Sequence, residues 1–439
     1  MIPEDVRSGG KCERGDVVQS LNAFEENGKM KTADNQVQLF VSGNLEPNLT
    51  EFPESFSPDA LTAAQDEISL WPGYQFTPLV HLQGLAQAYS LSALLYKDES
   101  ARFGLKSVKA LGGAYAVCRL LQRRVAEVTG RQISSEDLRK GTYSDTTQKI
   151  TVVAATEGNH GRSVAWGAAM FHCRCVIYVP KTCMPEREQA IASYGAVTIE
   201  TLLGYDDTVR QCAREAQRNG WTIVSDTSWE GYTEIPSLIM QGYTVMTSET
   251  VRQLAPTEPP THVFVQAGVG GVAAAIVAGL RQSWRHSDMR FIVVEPESAA
   301  CLYASANSGQ LTPSTEMPHT IMTGLVSSEA SPLAWKVLKS NVYGFLTIPD
   351  SLTQDCMKLL ANPPYGDVPI IAGESGVAGL AALRFALQSA ELRAQLGLNN
   401  SSRVLLFGTE GDTAPEYYRQ LTGESADVVR ARIRQYHQR

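Results

Sequence analysis

The chain has 439 residues, enough for two lobes rather than one simple core. Hydrophobic residues make up 43% and charged residues 19%, and the formal net charge of -8 argues against a nucleic-acid binder, which usually carries a basic stripe. No run reaches about 18 uninterrupted apolar residues, so no membrane span is expected. Met1 to Lys11 lacks the basic-then-apolar order of a secretory leader. Eight cysteines are scattered along the chain. Cys173 and Cys175 alternate in a strand-like run, and no second pair sits at metal spacing, so reduced cysteines, no metal and a cytoplasmic setting are expected.

Residues 1–45 read as a polar arm, with turn signals at Gly9-Gly10 and Asn27-Gly28 and a short strand over Val37–Val41. A helix opens near Ser57-Pro58-Asp59, because proline is tolerated in a first turn. Trp71-Pro72-Gly73-Tyr74 through Thr77-Pro78-Leu79 is an ordered turn, Leu82–Tyr89 a short helix and Ala93–Lys97 a strand. From Lys109 to Ala126, residues Leu111, Ala114, Val117, Cys118, Leu121 and Val125 recur at helical spacing. Gly112-Gly113 costs that helix roughly 1 kcal/mol per glycine, so another backbone or a ligand is expected to approach closely there. Residues 127–149 are a polar connector with a helix cap at Ser134.

From residue 150 strands and helices alternate. Strands are expected at 150–154, 175–179, 197–199, 221–224, 262–266, 291–295 and 404–407, with helices at 161–169, 185–194, 205–219, 239–254, 271–284, 352–362 and 377–389. Repeated βα units predict an α/β protein with parallel-rich sheets flanked by helices. The polar stretch 304–335 reads as a long irregular loop of the functional or mobile kind.

Three stretches carry candidate chemistry. Lys109 opens an apolar, small-residue helix, where desolvation is expected to lower its pKa and leave a usable amine. Lys106 is the competitor, but Lys109 has the tighter surroundings. Thr156-Glu157-Gly158-Asn159-His160-Gly161 follows a buried strand and opens a helix, whose N-terminus favours a carboxylate. Thr156, Glu157 and His160 are therefore candidate substrate contacts. Gly268-Val269-Gly270-Gly271-Val272 follows a strand and precedes a helix, so its N–H groups can converge on a phosphate. Asp226, just past a strand end, can position a cofactor or a substrate amine. An amine, an asparagine turn and a glycine loop are the parts that hold pyridoxal 5'-phosphate: a covalent link to its aldehyde, a hydrogen bond from Asn159 to its ring oxygen, and a phosphate cradle. The glycine loop alone also half-matches a dinucleotide fingerprint, with Glu295 closing the next strand, so a nicotinamide enzyme stays open on that loop.

Together these stretches resemble fold-type-II pyridoxal-phosphate enzymes, and within them the diaminopropionate ammonia-lyase family. The resemblance runs from about residue 68 to about 420. It rests on Trp71-Pro72-Gly73-Tyr74, Lys97-Asp98-Glu99-Ser100, Arg102-Phe103-Gly104-Leu105 through Lys109, Glu157-Gly158-Asn159-His160-Gly161-Arg162, Trp229-Glu230-Gly231-Tyr232 and Thr409-Glu410-Gly411-Asp412-Thr413. It implies α,β-elimination on 2,3-diaminopropionate to pyruvate and ammonia, with Lys109 joined to the cofactor and then taking the α-proton of the L-isomer. Either Thr409 or Thr413 would face the pyridine nitrogen. The family usually carries aspartate at the position of Glu157, thought to serve the D-isomer from the opposite face. Glutamate keeps the carboxylate but lengthens its reach by about 1.5 Å, one C–C bond. The resemblance also implies a homodimer acting on a small amino acid. The expected division is an arm over 1–45, a larger cofactor-binding domain over 46–150 and 241–439, and a smaller α/β domain over 151–240. A dehydratase of serine, threonine or 3-hydroxyaspartate and a β-replacement synthase share the early steps and stay open, as does a cofactor-holding protein without turnover.

Overall fold

The computed structural model describes residues 37–43, 52–156, 158–255, 258–285, 287–314 and 319–438. Most of the 1–45 arm, and Glu157, lie outside the described residues. The strands are β1 (Leu39–Val41), β2 (Leu79–His81), β3 (Ala93–Asp98), β4 (Thr151–Ala155), β5 (Arg174–Val179), β6 (Val197–Glu200), β7 (Thr222–Ile223), β8 (His262–Gln266), β9 (Arg290–Pro296), β10 (Gly344–Ile348) and β11 (Arg403–Gly408). They form a seven-stranded sheet in the order β1-β10-β9-β8-β11-β3-β2 and a four-stranded sheet in the order β6-β5-β4-β7.

Parallel pairing follows from composition. β8 reads His-Val-Phe-Val-Gln and β10 Gly-Phe-Leu-Thr-Ile, and both are buried along their whole length. A strand with both faces covered needs helices on either side of its sheet and βα crossovers to reach the next strand. Among the strand pairings of the described residues, the two at the edges, β1 with β10 and β2 with β3, are antiparallel and the others parallel. The register sets Phe407 beside Lys97 and Leu406 beside Phe264, so β3, β11 and β8 end close together.

The expected elements appear with shifted ends. The helix expected at 239–254 starts at Glu234, because Pro236 falls in its first turn, where no N–H is needed. The expected irregular loop over 304–335 is a correction. The helix Cys301–Ser308 runs into it, a turn of 3-10 helix spans Thr323–Leu325, and the helix Pro332–Asn341 begins inside it. These helices are short, and Thr, Ser, Gly and Pro between them mask the apolar period.

Gly112-Gly113 does mark close approach. A Cβ on Gly112 would lie 2.4 Å from Cε1 of Tyr243, and one on Gly113 would lie 2.7 Å from the Ser163 hydroxyl. The reciprocal positions are equally tight. A Cβ on Gly242 would sit 2.6 Å from the Leu111 carbonyl oxygen, and one on Gly167 would sit 2.8 Å from Ala114 Cα. The helix that begins at Lys109 is thus clamped between the helices Glu234–Gln253 and Asn159–Met170.

Candidate active site

Parallel strands deliver their following loops to one edge, so the C-terminal ends of β3, β4, β7, β8 and β11 share a cleft. Its volume is about 820 Å³ with the open mouth included. Lys109, Thr156, Asn159, His160, Asp226, the loop Gly268–Val272 and Thr409 all line it. Lys106 instead reaches Asp412, 2.8 Å away. Of the two lysines, Lys109 is the one that lines the cleft.

Lys109 Nζ donates to Asp226 Oδ2 at 2.6 Å and lies 5.6 Å from the centroid of the Tyr243 ring. Burial alone would depress the lysine, as expected from the sequence. The Asp226 carboxylate outweighs burial and lifts Lys109 above its usual value. The expected lowering is therefore corrected: in this pairing Lys109 is an ammonium. Burial raises the Asp226 carboxyl, but the Lys109 ammonium outweighs it and holds Asp226 below its usual range. His160 Nε2 lies 2.7 Å from the Val224 carbonyl oxygen, which can only accept, so Nε2 carries the proton and Nδ1 keeps a lone pair. Burial, with Lys109 nearby, lowers the His160 pKa despite Asp226, and the ring is neutral at physiological pH.

Thr156 shapes the asparagine turn. Its hydroxyl oxygen accepts from Gly158 N at 2.9 Å and Gly161 N at 3.1 Å. Gly158 adopts φ 148°, and a Cβ there would lie 2.6 Å from Cδ of Arg187. Arg187, on the helix Pro185–Ala192, pairs with Glu374 at 2.6 Å. Asn159 Nδ2 donates to Glu410 Oε2. Glu410 is buried, and burial together with Glu374 raises it to about 7 although Arg187 pulls it down. Arg187, Glu374 and Glu410 were not singled out from the sequence. Each is an ordinary charged residue in its own stretch, and only the fold brings them together.

The glycine loop ends in Gly270, at φ 97°, ahead of the helix Gly271–Ser283. The first-turn N–H groups of that helix have no helical acceptor and can take anionic oxygens. A Cβ on Gly268 would stand 3.1 Å from the Leu325 backbone, so a side chain there would crowd the cradle. Thr409 lines the cleft and its hydroxyl accepts from Gln266 Nε2 at 2.8 Å. Thr413 instead accepts from Arg187 at 3.3 Å. A lysine amine, an amide N–H, a hydroxyl and a run of backbone N–H groups around one cleft fit pyridoxal 5'-phosphate. A nicotinamide dinucleotide would need a free carboxylate after β9. Glu295 is buried, and its two oxygens accept from Leu302 N at 2.8 Å and Tyr303 N at 2.7 Å.

A family model described as pyridoxal-phosphate dependent enzyme matches residues 70–410. The diaminopropionate ammonia-lyase of Escherichia coli strain K12 is 38% identical over 405 residues, covering 91% of this chain and 98% of that protein. The chain is a member of the diaminopropionate ammonia-lyase family. Among solved structures, Escherichia coli diaminopropionate ammonia-lyase in complex with D-serine superposes with a TM-score of 0.81 at 37% identity, covering 88% of this chain and 97% of that one. The same enzyme in complex with an aminoacrylate-PLP azomethine reaction intermediate superposes at 0.79 over the same shares of both chains.

Two of the stretches that carry the lyase resemblance are bound together in the chain ahead of Lys109. Arg102 donates to Glu99 at 2.7 Å and to Glu249 at 2.8 Å, and Lys97 also pairs with Glu249 at 2.8 Å, all fully buried. Trp71, Phe103 and Trp166 pack ring against ring, with Phe103 and Trp166 centroids 5.0 Å apart. In these lyase motifs charge and aromatic packing fix the turn that leads into Lys109.

Proposed function

We propose that this protein eliminates the β-amino group of 2,3-diaminopropionate and yields pyruvate and ammonia. The observation that carries the reading is the convergence of Lys109, Asn159, the Gly268–Val272 loop and Thr409 on one cleft. In this reading Lys109 holds the aldehyde of pyridoxal 5'-phosphate, Asn159 its ring oxygen, Gly268–Val272 its phosphate and Thr409 its pyridine nitrogen. When bound, the cofactor supplies an electron sink for the negative charge that develops at the substrate α-carbon.

The residues do the rest. Backbone N–H groups at the start of the Asn159–Met170 helix attract the substrate carboxylate. Thr156 holds that turn in shape. Asp226 holds Lys109 in line with the cleft and takes up its positive charge. Once neutral, the Lys109 amine can remove the α-proton of the L-isomer. Glu157, which stands where the family usually carries aspartate, is the base we assign to the D-isomer. Loss of the α-proton and the β-amine, with one water added, gives one pyruvate and two ammonia.

We further propose a homodimer in the cytoplasm. The larger cofactor-binding and smaller 151–240 division is supported by the strands of the four-stranded sheet, which all fall within 151–223.

The test is pyruvate release from L- and D-2,3-diaminopropionate, with L- and D-serine and L-threonine alongside. Diaminopropionate is expected to be the preferred substrate, and Lys109→Ala to lose at least about 10²-fold on the L-isomer. Faster turnover of serine or threonine would replace the lyase reading with a dehydratase. Pyruvate from the L-isomer alone would remove Glu157 from the scheme.

A further inference from the structure

Asn159 lines the cleft, and among the described residues the hydrogen-bond partner of its amide is Glu410 rather than a residue of its own turn. The side chain ends in a carbonyl oxygen and an NH2 group of nearly the same shape, and their order is set by hydrogen-bond partners. The partner here is Glu410, whose Oε2 accepts from Asn159 Nδ2. We propose that Glu410 is a positioning residue, which turns the Asn159 amide so that an N–H, and not its carbonyl oxygen, is offered to the phenolic oxygen of the cofactor. The proposal rests on the reading of Asn159 as the ring-oxygen contact.

The geometry gives Glu410 little freedom. It follows β11, and its carboxyl is fixed at both oxygens, since Oε1 accepts from Ser375 N at 3.0 Å. Its backbone oxygen accepts from Gly373 N at 2.9 Å. A Cβ on Gly373 would lie 2.9 Å from Glu410 Cγ, so the bare backbone of 373 packs directly on the side chain. The residue is 2% exposed. In its ionised form, which prevails above about pH 7, Glu410 only accepts, so Asn159 then presents NH2 to it. A reversed amide would set two oxygens against each other in a dry site. The second N–H of the same Nδ2 then remains for the cleft. Glu374 and Arg187 also act on Glu410, and their 2.6 Å pair leaves Arg187 partly neutralised rather than free to take Glu410 from Asn159.

Glu410→Gln tests this on the cofactor-bound enzyme. Glutamine keeps the shape but can offer an NH2 to Asn159, and so favours the reversed amide. The cofactor's phenolate oxygen would lose its donor. The expected result is a shift of absorbance from the visible band towards the near-ultraviolet band, and cofactor binding weaker by roughly 10-fold, both read without turnover. Asn159→Ala should give the same spectral shift, and the double variant should add little to either single one. Glu410→Met, which removes the acceptor at similar length, should move the spectrum in the same direction if the glutamine variant does not fold. A wild-type spectrum and affinity in Glu410→Gln, beside a clear change in Asn159→Ala, would overturn the proposal and leave the Asn159 contact standing. No change in Asn159→Ala would overturn that contact itself.

Discussion

Lys109 and Asp226 form the charge pair on which the site turns. An amine must lose its proton before it can attack an aldehyde, and Asp226 holds that proton in place. Removing the carboxylate takes away the largest influence opposing burial and leaves Tyr243 as the smaller one, so the Lys109 pKa falls. Asp226→Asn is therefore expected to move the pH midpoint for cofactor uptake downward, measured as the rate of growth of the visible band after adding pyridoxal 5'-phosphate. An unmoved midpoint would mean that Asp226 does not control this amine. This coupling was not legible in the sequence, because burial of a lysine can be guessed locally but its partner lies 117 positions away. That Lys109, Asn159 and the glycine loop stand at helix starts was legible, since small and apolar residues at helical spacing follow each. Glu410 stood within a recognised stretch, yet its hold on Asn159 depends on a contact between β11 and the turn after β4.

Among elements, the crossing of the helices Lys109–Thr129 and Glu234–Gln253 fixes where the lysine stands. Gly242 meets the Leu111 carbonyl oxygen, a backbone atom that cannot swing away. Gly242→Ala gains helix propensity, but the overlap should win and lower stability by about 1–3 kcal/mol net. The urea midpoint measures it, and an unchanged or higher midpoint would refute the close crossing. The strand pattern was largely legible because parallel strands are continuous apolar runs. β10 escapes the pattern: Gly344–Ile348 is a five-residue run after the helix Pro332–Asn341, whose first turn lies in the stretch that reads as loop. The helices inside 304–335 were missed for the related reason that serine, glycine and proline dilute a short apolar period.

Across the whole molecule, two sheets contribute to one cleft. Arg187 sits on a helix beside the four-stranded sheet, and Glu374 sits just before a helix packed on the seven-stranded one. Burying such a pair is costly unless geometry and further hydrogen bonds are good, and Thr323 and Thr413 supply those bonds to Arg187 and Glu374. No helix of the described residues is long and apolar enough to cross a membrane. The central claim is that this cleft holds pyridoxal 5'-phosphate on Lys109. Borohydride reduction of the holoenzyme, followed by digestion and mass mapping, tests it most directly. The reduced cofactor is predicted on the peptide containing Lys109, at that lysine. Cofactor found on Lys106, on another lysine, or on none would contradict the account.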